Sequence, residues 1–506
     1  MIWLRRALAA LALVAAPATA AEPWREASSA HFVIYSQESE ADLRQYAERL
    51  ERFDKALRLL QKMADEPVGP ANRLTVFVAA NSAAVQRLLG APDSNVAGFY
   101  RGRAGASIAV TSREKTGSDR ALSPQIVLLH EYAHYFMLRN FPAAYPAWFR
   151  EGFAEFYSTA RFQPDGSLIV GAPANHRVYE LAAARDTLSL DRLLGDQGGK
   201  QAASMPEVYG YGWLLTHYLN FSDKRKGLAE LRAYLEAINR GTPALAAAKT
   251  AFGDLDQLKR EVQAYLGKRT MLVATIGADR LPVGPVAVRT LRPGEQAMLP
   301  VAIRSRLGVD EKKAKAVAVD ARKVAGKFPD DAYVQTALAE AEFDTGAFDN
   351  ADAAANRVLA VDPKAGRALL YKARVLLARA EAAKGDDKTA LVKSARSYVM
   401  RANRLDPDDP EPLILFYTSY RTAEAKPTQN AVDGLLVAHR LGAEDESLRL
   451  LLAHQLAEEK RAAEVRILLA PVAYDPHGGK SAVAAQQLLA TLPPIAAESP
   501  APVSAM

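Results

Sequence analysis

IVLLHEYAHYF, residues 126–136, sets two histidines and a glutamate inside an otherwise apolar run. Ser123 and Pro124 just ahead of it supply an N-cap and a proline at the first helical position, so the stretch is expected to open a helix. On a helix His130 and His134, four residues apart, share one face, and two imidazoles one turn apart can reach a single cation. Glu131 lies about 100° further round the axis. There it stands beside the pair, where a carboxylate can take a proton from a metal-activated water. The plain alternative is a buried helix whose polar side chains are satisfied by neighbours.

Two ligands do not make a catalytic zinc site, and a third is expected from PAWFREGFAEFYS, residues 146–158. Sixteen residues separate His134 from Glu151, enough for a loop and the start of a second helix that turns back onto the first. Glu155 follows four residues later on the same face, placed to accept a hydrogen bond from the non-ligating nitrogen of a zinc-bound histidine. Two histidines, one glutamate and a water would leave the open position that hydrolytic zinc needs. Trp148 and Phe149 in the same segment are expected to pack, with a cleft wall as their other use.

HEYAH followed by REGFAEF resembles the gluzincin metallopeptidases, the clan that includes thermolysin and the aminopeptidase N family. The resemblance is close over residues 123–157 and holds in outline over 24–266. It implies an α+β zincin-like catalytic domain, Zn2+ held by His130, His134 and Glu151, Glu131 as general base and acid, and Glu155 supporting the ligands from behind. The interval before Glu151 is short and no substrate-amine-binding motif is evident, which leaves the peptidase subtype open. A hydrolase of this kind also needs a donor for the developing oxyanion. Tyr209, in EVYGYGWLLTHYL 58 residues after Glu151, sits in a Tyr-x-x-Gly setting at a helix start, similar to the tyrosine of the aminopeptidase type. Tyr209, Tyr211 and Trp213 could equally be packing aromatics; Tyr211 and His217 are weaker candidates for the donor. His31 and His176 read as structural or solvated histidines.

The remaining sequence sets the context. Arg5 and Arg6, the apolar run 7–16, Pro17 and Ala18-Thr19-Ala20 form a secretory signal-peptide pattern over residues 1–20, too short to span a bilayer. The expected product is therefore exported, periplasmic or extracellular, with no stable membrane insertion after cleavage. There is no cysteine, which excludes disulfides and thiolate chemistry. The 64 Lys and Arg, less those two, against 58 Asp and Glu leave a formal charge of +4. With no basic cluster interleaved with aromatics, nothing points to nucleic acid.

At 506 residues several domains are expected. Residues 21–122 alternate strand-like and helical pieces, the N-terminal α/β part of the catalytic domain. Residues 123–266 are mainly helical and carry the zinc motif, broken by a hairpin at Asp165-Gly166. Residues 267–309, rich in Val, Pro and Gly, read as a β-rich connector. Residues 310–492 read as an all-α solenoid of tetratricopeptide-like repeats: Pro329 and Pro363 are 34 apart, the length of one such unit, with Leu338, Gly346, Phe348 and Ala351 in the packing, turn, wedge and contact places. Pro407 comes 44 residues after Pro363, a surplus assigned to a longer interhelix turn at 382–389. The rhythm continues less cleanly near Gly442 and Pro476, and the Pro/Ala-rich tail 493–506 is expected to be disordered. The functional expectation is a zinc metallopeptidase acting on a peptide or protein substrate, its repeats binding a partner or substrate protein. The alternative is a catalytically retired zinc-binding scaffold that uses the repeats for assembly.

Overall fold

The computed structural model describes residues 22–493 other than 67, 93, 95, 119, 142, 196–202 and 476–477. The expectations for the signal peptide, the tail beyond Pro493 and the marker Pro476 lie outside the described residues.

The first part holds β1 (Arg25–Ser28), β2 (Phe32–Ser36), α1 (Glu40–Leu60), β3 (Leu74–Ala79), α2 (Ser82–Leu89), β4 (Phe99–Arg101) and β5 (Ile108–Ser112). Then come α3 (Pro124–Asn140), α4 (Ala147–Ser158), β6 (Arg161–Phe162), β7 (Leu168–Val170), α5 (Val178–Thr187), α6 (Leu190–Leu194) and α7 (Met205–Phe221). The chain goes on through α8 (Gly227–Asn239), α9 (Ala244–Phe252), α10 (Leu255–Leu266), β8 (Ala274–Ile276) and β9 (Ala287–Thr290).

Six strands form one sheet in the order β4-β5-β3-β2-β1-β9. Its centre, β2, β3 and β5, is parallel, with Phe32 opposite Leu74 and Thr75 opposite Ile108. LTVFVA at β3 is buried along almost its whole length, as a central parallel strand covered on both faces must be. On one face α1 lays down Leu43, Ala47, Leu50, Phe53 and Leu57; its N-terminus is capped by Ser39 Oγ, which accepts from the Asp42 amide at 3.1 Å. The same core takes in α3, α4 and α7. The hairpin at Asp165-Gly166 forms as expected, Gly166 adopting φ +85°, and β8 joins it as a third antiparallel strand.

The segment 267–309 differs from the β-rich connector expected. Its strands complete both sheets, β8 against β7 and β9 against β1, and its last third is the helix α11 (Pro293–Arg306). Proline at the first helical position starts that helix, and Glu295 caps it by accepting from the Arg292 amide at 2.8 Å. Pro300 inside it masked the periodicity.

Beyond α11 the described chain is all helix: α12 (Glu311–Ala325), α13 (Ala332–Asp344), α14 (Phe348–Val361), α15 (Gly366–Ala382), α16 (Gly385–Leu405), α17 (Pro410–Thr422), α18 (Gln429–Leu441), α19 (Glu446–Glu458), α20 (Ala462–Ala473) and α21 (Lys480–Ala490). Successive helices pack against each other, compatible with a tetratricopeptide-like helical repeat region. Gly346 makes the α13–α14 turn at φ +78°, and Ala351 is wholly buried where the two helices meet. The insert at 382–389 is not a long turn: α15 ends at Ala382, α16 starts at Gly385, and the surplus residues lengthen these two helices. Asp386 and Asp387 in the first turn of α16 suit its N-terminal dipole, which favours helix over loop there.

Candidate metal and hydrolytic site

Two buried helices carry the site. Ser123 Oγ caps α3, accepting from the Ile126 amide at 3.3 Å, and Thr111 Oγ1 of β5 donates to Pro124 O at 3.1 Å. The inner face of α3 is held from below: Tyr132 Oη donates to Asp54 Oδ1 at 2.6 Å, and Arg58 Nε donates to Asp54 Oδ2 at 2.6 Å. α4 is buried at every position, so its two carboxylates need cationic company.

They have it. His130 Nε2 and His134 Nε2 are 3.0 Å apart, and Glu151 Oε2 lies 3.4 Å from the first and 3.2 Å from the second. Three ligands at zinc–ligand distances of ~2.0–2.1 Å in a tetrahedral shell lie about 3.3 Å from one another. The triangle fits that requirement, and the donor set is the one expected for zinc with an open fourth position. Glu151 is completely buried and His134 nearly so. Burial by itself lowers the His130 pKa, but Glu151, Glu155 and Glu131 raise it to about 9, which marks a pocket built for positive charge.

Glu155 stands behind His130, its Oε1 3.4 Å from Nδ1, the nitrogen turned away from Glu151 and His134. It also accepts from His176 Nε2 at 2.8 Å and from Arg177 Nη2 at 2.5 Å and Nε at 3.1 Å. Burial pushes this carboxyl up, yet His176, His130 and Arg177 bring it down to about 2. The support is one-sided: His134 Nδ1 has no hydrogen-bond partner among the described residues.

Tyr209, in the first turns of α7, places its ring 6.0 Å from that of His130. Burial, Glu151 and Glu155 drive its phenol well above the ordinary value, so it is a protonated donor at neutral pH. Tyr211 instead hydrogen-bonds Thr187 of α5, away from the site. His217 is buried between Gly171 O at 2.8 Å and Tyr265 Oη at 2.9 Å, and burial lowers its pKa to about 4. Both are packing residues. Trp148, fully buried, packs against Tyr234 and Phe149. His31 pairs with Glu51 in the middle of α1 at 2.8 Å and lies 3.6 Å from Asp54, the carboxylate that also accepts from Tyr132.

His176 is structural rather than solvated: a short 3-10 turn, Asn175–Arg177, after the hairpin carries it and Arg177 onto Glu155. No spacing rule links these two residues to the zinc motif. A second pair that sequence reasoning passed over is Gly152 and Gly212, where α4 and α7 cross. A Cβ on Gly152 would sit 2.3 Å from Gly212 O. Glycines inside two helices were the available signal.

Glu131 and His134 open on a cavity of about 1110 Å³ whose opposite wall comes from α13, α15, α17 and the α18–α19 turn. The last helices of the repeat region are fastened to the part of the chain that carries α3 and α4. Arg139 of α3 donates to Leu441 O at 2.9 Å and to Glu444 at 3.3 Å. Arg449 donates to Leu138 O at 2.9 Å, and Arg150, next to Glu151, donates to Asp475 at 2.9 Å. The Ala104 amide donates to Asp445 at 3.0 Å.

No protein-family model matches this chain, and no curated protein does. Among solved structures it is similar to a thermophilic TPR protein of Thermus thermophilus, at 16% identity and a TM-score of 0.35 over 39% of this chain and 99% of that one. No helix among the described residues is long and apolar enough to cross a membrane.

Proposed function

We propose that this chain is an exported zinc metallopeptidase of the gluzincin type, with its helical repeats forming one wall of the substrate chamber. The observation that carries the reading is the triangle of His130 Nε2, His134 Nε2 and Glu151 Oε2 with Glu131 beside it, open to the chamber. His130, His134 and Glu151 would hold the zinc. When bound, zinc supplies a Lewis acid that polarises a carbonyl and acidifies a water.

The chain's own residues supply the rest. Glu131 takes the proton of the attacking water and returns it to the departing amine. The Tyr209 hydroxyl donates to the oxygen on which charge develops. Glu155 keeps the His130 ring in the orientation that turns Nε2 toward Glu151, and Arg177 and His176 keep Glu155 charged. Glu151 and Glu155 are wholly buried and His134 nearly so, which strengthens the interactions they make.

The test is a zinc measurement and a mixed peptide-library assay on the native protein, Glu131→Gln and Glu151→Ala. The expected result is that Glu131→Gln keeps its metal and loses cleavage, while Glu151→Ala loses most of its metal. Zinc held by every form with no cleavage by the native protein would replace the peptidase with a zinc-bearing scaffold, and full metal retention by Glu151→Ala would refute its ligand role.

A further inference from the structure

Charge in the chamber is not evenly answered. Of its acidic side chains, Glu411 accepts from Arg367 and Arg374, Glu444 from Arg139 and Ser107, Asp445 from the Ala104 amide, and Asp344 from Ser305 Oγ at 2.9 Å, and Glu340 lies 3.6 Å from Arg367; Glu131 and Glu446 complete the lining. Arg101 and Arg103, on and just after the edge strand β4, have no ion-pair partner within 4.0 Å among the described residues, and neither has Arg306 at the end of α11, which lines the same cavity. Arg101 and Arg103 converge. Arg103 Nη2 and Arg101 Nη1 lie 2.7 and 3.5 Å from the point where a Cβ on Gly308, at φ +87°, would stand, so both guanidinium groups rest over that glycine. Two like charges are thereby held together over the α11–α12 turn, at a cost that burial and their mutual repulsion register as a lowered Arg101 pKa. Asp344 also feels Arg103, but burial and Glu340 push its carboxyl up.

Their place relative to the zinc motif follows from strand alternation. Tyr100 faces α3, its ring 5.6 Å from that of Tyr135, the residue after His134; Arg101 therefore points to the other face, toward α11 and α13. Both faces of this edge open on the one cavity that also exposes Glu131 and His134. An extended polypeptide in the chamber with its scissile bond at Glu131 would pass this hairpin and present alternate side chains to the arginines.

We propose that Arg101 and Arg103, with Arg306 on the same cavity wall, form a carboxylate-binding subsite that selects acidic polypeptide, through an Asp or Glu side chain or a C-terminal carboxylate. Planar guanidinium forks are suited to bind a carboxylate with two parallel hydrogen bonds, and a charge-assisted pair of that kind discriminates by about tenfold or more against the neutral isostere. This subsite rests on the peptidase reading for its use but not for its existence.

The experiment pairs binding with cleavage in the full zinc-loaded chain. Fluorescein-labelled peptides carrying Glu or Gln in one position, each with a free or an amidated C-terminus, are titrated into Glu131→Gln by anisotropy, and quenched versions are assayed with the native enzyme. The expected result is tighter binding and higher kcat/KM for one acidic form by about tenfold. Dependence on the side chain or on the terminus tells which carboxylate is taken. In the charge-reversed form Arg101→Glu with Arg103→Glu, preference should shift to Lys-containing peptides, a gain that misfolding cannot produce. Equal binding of acidic and neutral peptides, or a charge-reversed form that keeps the native preference, overturns the subsite. Selective binding without cleavage by the native enzyme upholds the subsite and overturns only the peptidase reading.

Discussion

The guanidinium carbon of Arg177 lies 4.4 Å from the centroid of the Tyr209 ring while the same side chain grips Glu155. One residue thus couples the carboxylate behind His130 to the tyrosine proposed as oxyanion donor. A cation over an aromatic face contributes about 0.5–2 kcal/mol, enough to hold a ring in one orientation. Tyr209→Phe is expected to lower kcat by roughly 10²–10³ with zinc retained, the loss that follows removal of an oxyanion donor. Arg177→Ala should lower kcat by about tenfold with a smaller change in KM, and loosen zinc by about tenfold. Arg177→Lys, which keeps the charge but not the fork, should recover part of the kcat. Full kcat in Tyr209→Phe would move the donor role elsewhere.

Gly152 lets α4 and α7 approach until backbone meets backbone, and Glu151 and Tyr209 sit on the two sides of that contact. Gly152→Ala would press a methyl group against Gly212 O at 2.3 Å and Thr216 Oγ1 at 2.5 Å. Overpacking of this kind costs about 1–3 kcal/mol, and backbone cannot swing aside as a side chain can. The expected outcome is a lower unfolding midpoint in urea together with weaker zinc binding, since separating the helices moves Glu151 from the histidines. A variant with native stability and native zinc affinity would show the crossing to be slack.

The convergence of His130, His134 and Glu151 was legible in the sequence because its information is local: i, i+4 spacing on one helix and one more helix sixteen residues on. Glu155 was legible for the same reason. Arg177 and His176 were not, because they reach Glu155 through a turn whose path depends on how the hairpin β6–β7 packs. The repeat region was legible as helices from its proline markers and small-residue contacts. Its return onto α3 was not, since Arg139–Glu444 and Arg449–Leu138 are long-range pairs with no periodic signature. Pro300 hid α11 by interrupting an apolar helix, and the charged insert at 382–389 read as loop although its aspartates favour a helix start.

Glu444, on the turn between α18 and α19, is buried against Arg139 and accepts from Ser107 Oγ at 2.9 Å. Removing one member of a buried pair leaves the other charge without its partner, at about 3–5 kcal/mol. Arg139 keeps its bond to Leu441 O, so the lower end of that range is expected for Glu444→Ala. Because this contact fastens the repeats over the chamber, limited proteolysis should cut Glu444→Ala near residues 441–446 at protease levels that leave the native protein whole. Unchanged protection would mean that Arg449 and Arg150 suffice to hold the repeats in place.

Glu411 is buried at the start of α17, where Arg367 Nη1 and the Arg374 fork, its Nη2 at 2.6 Å, converge on its two oxygens. Burial alone would raise its pKa, but the two guanidinium groups hold it at about 2, against an ordinary 4.5. A carboxyl depressed on folding binds its proton more readily in the unfolded chain, so it stabilises the fold above pH 4.5, and that contribution is lost as pH falls from 4.5 toward 2. The shift corresponds to roughly 3 kcal/mol at neutral pH. Urea midpoints measured from pH 6 down to pH 2 should fall less steeply below 4.5 in Glu411→Gln than in the native protein, with the variant less stable at pH 6. Parallel curves would assign the acid sensitivity to other carboxylates and show that the two arginines do not depend on this one for their order.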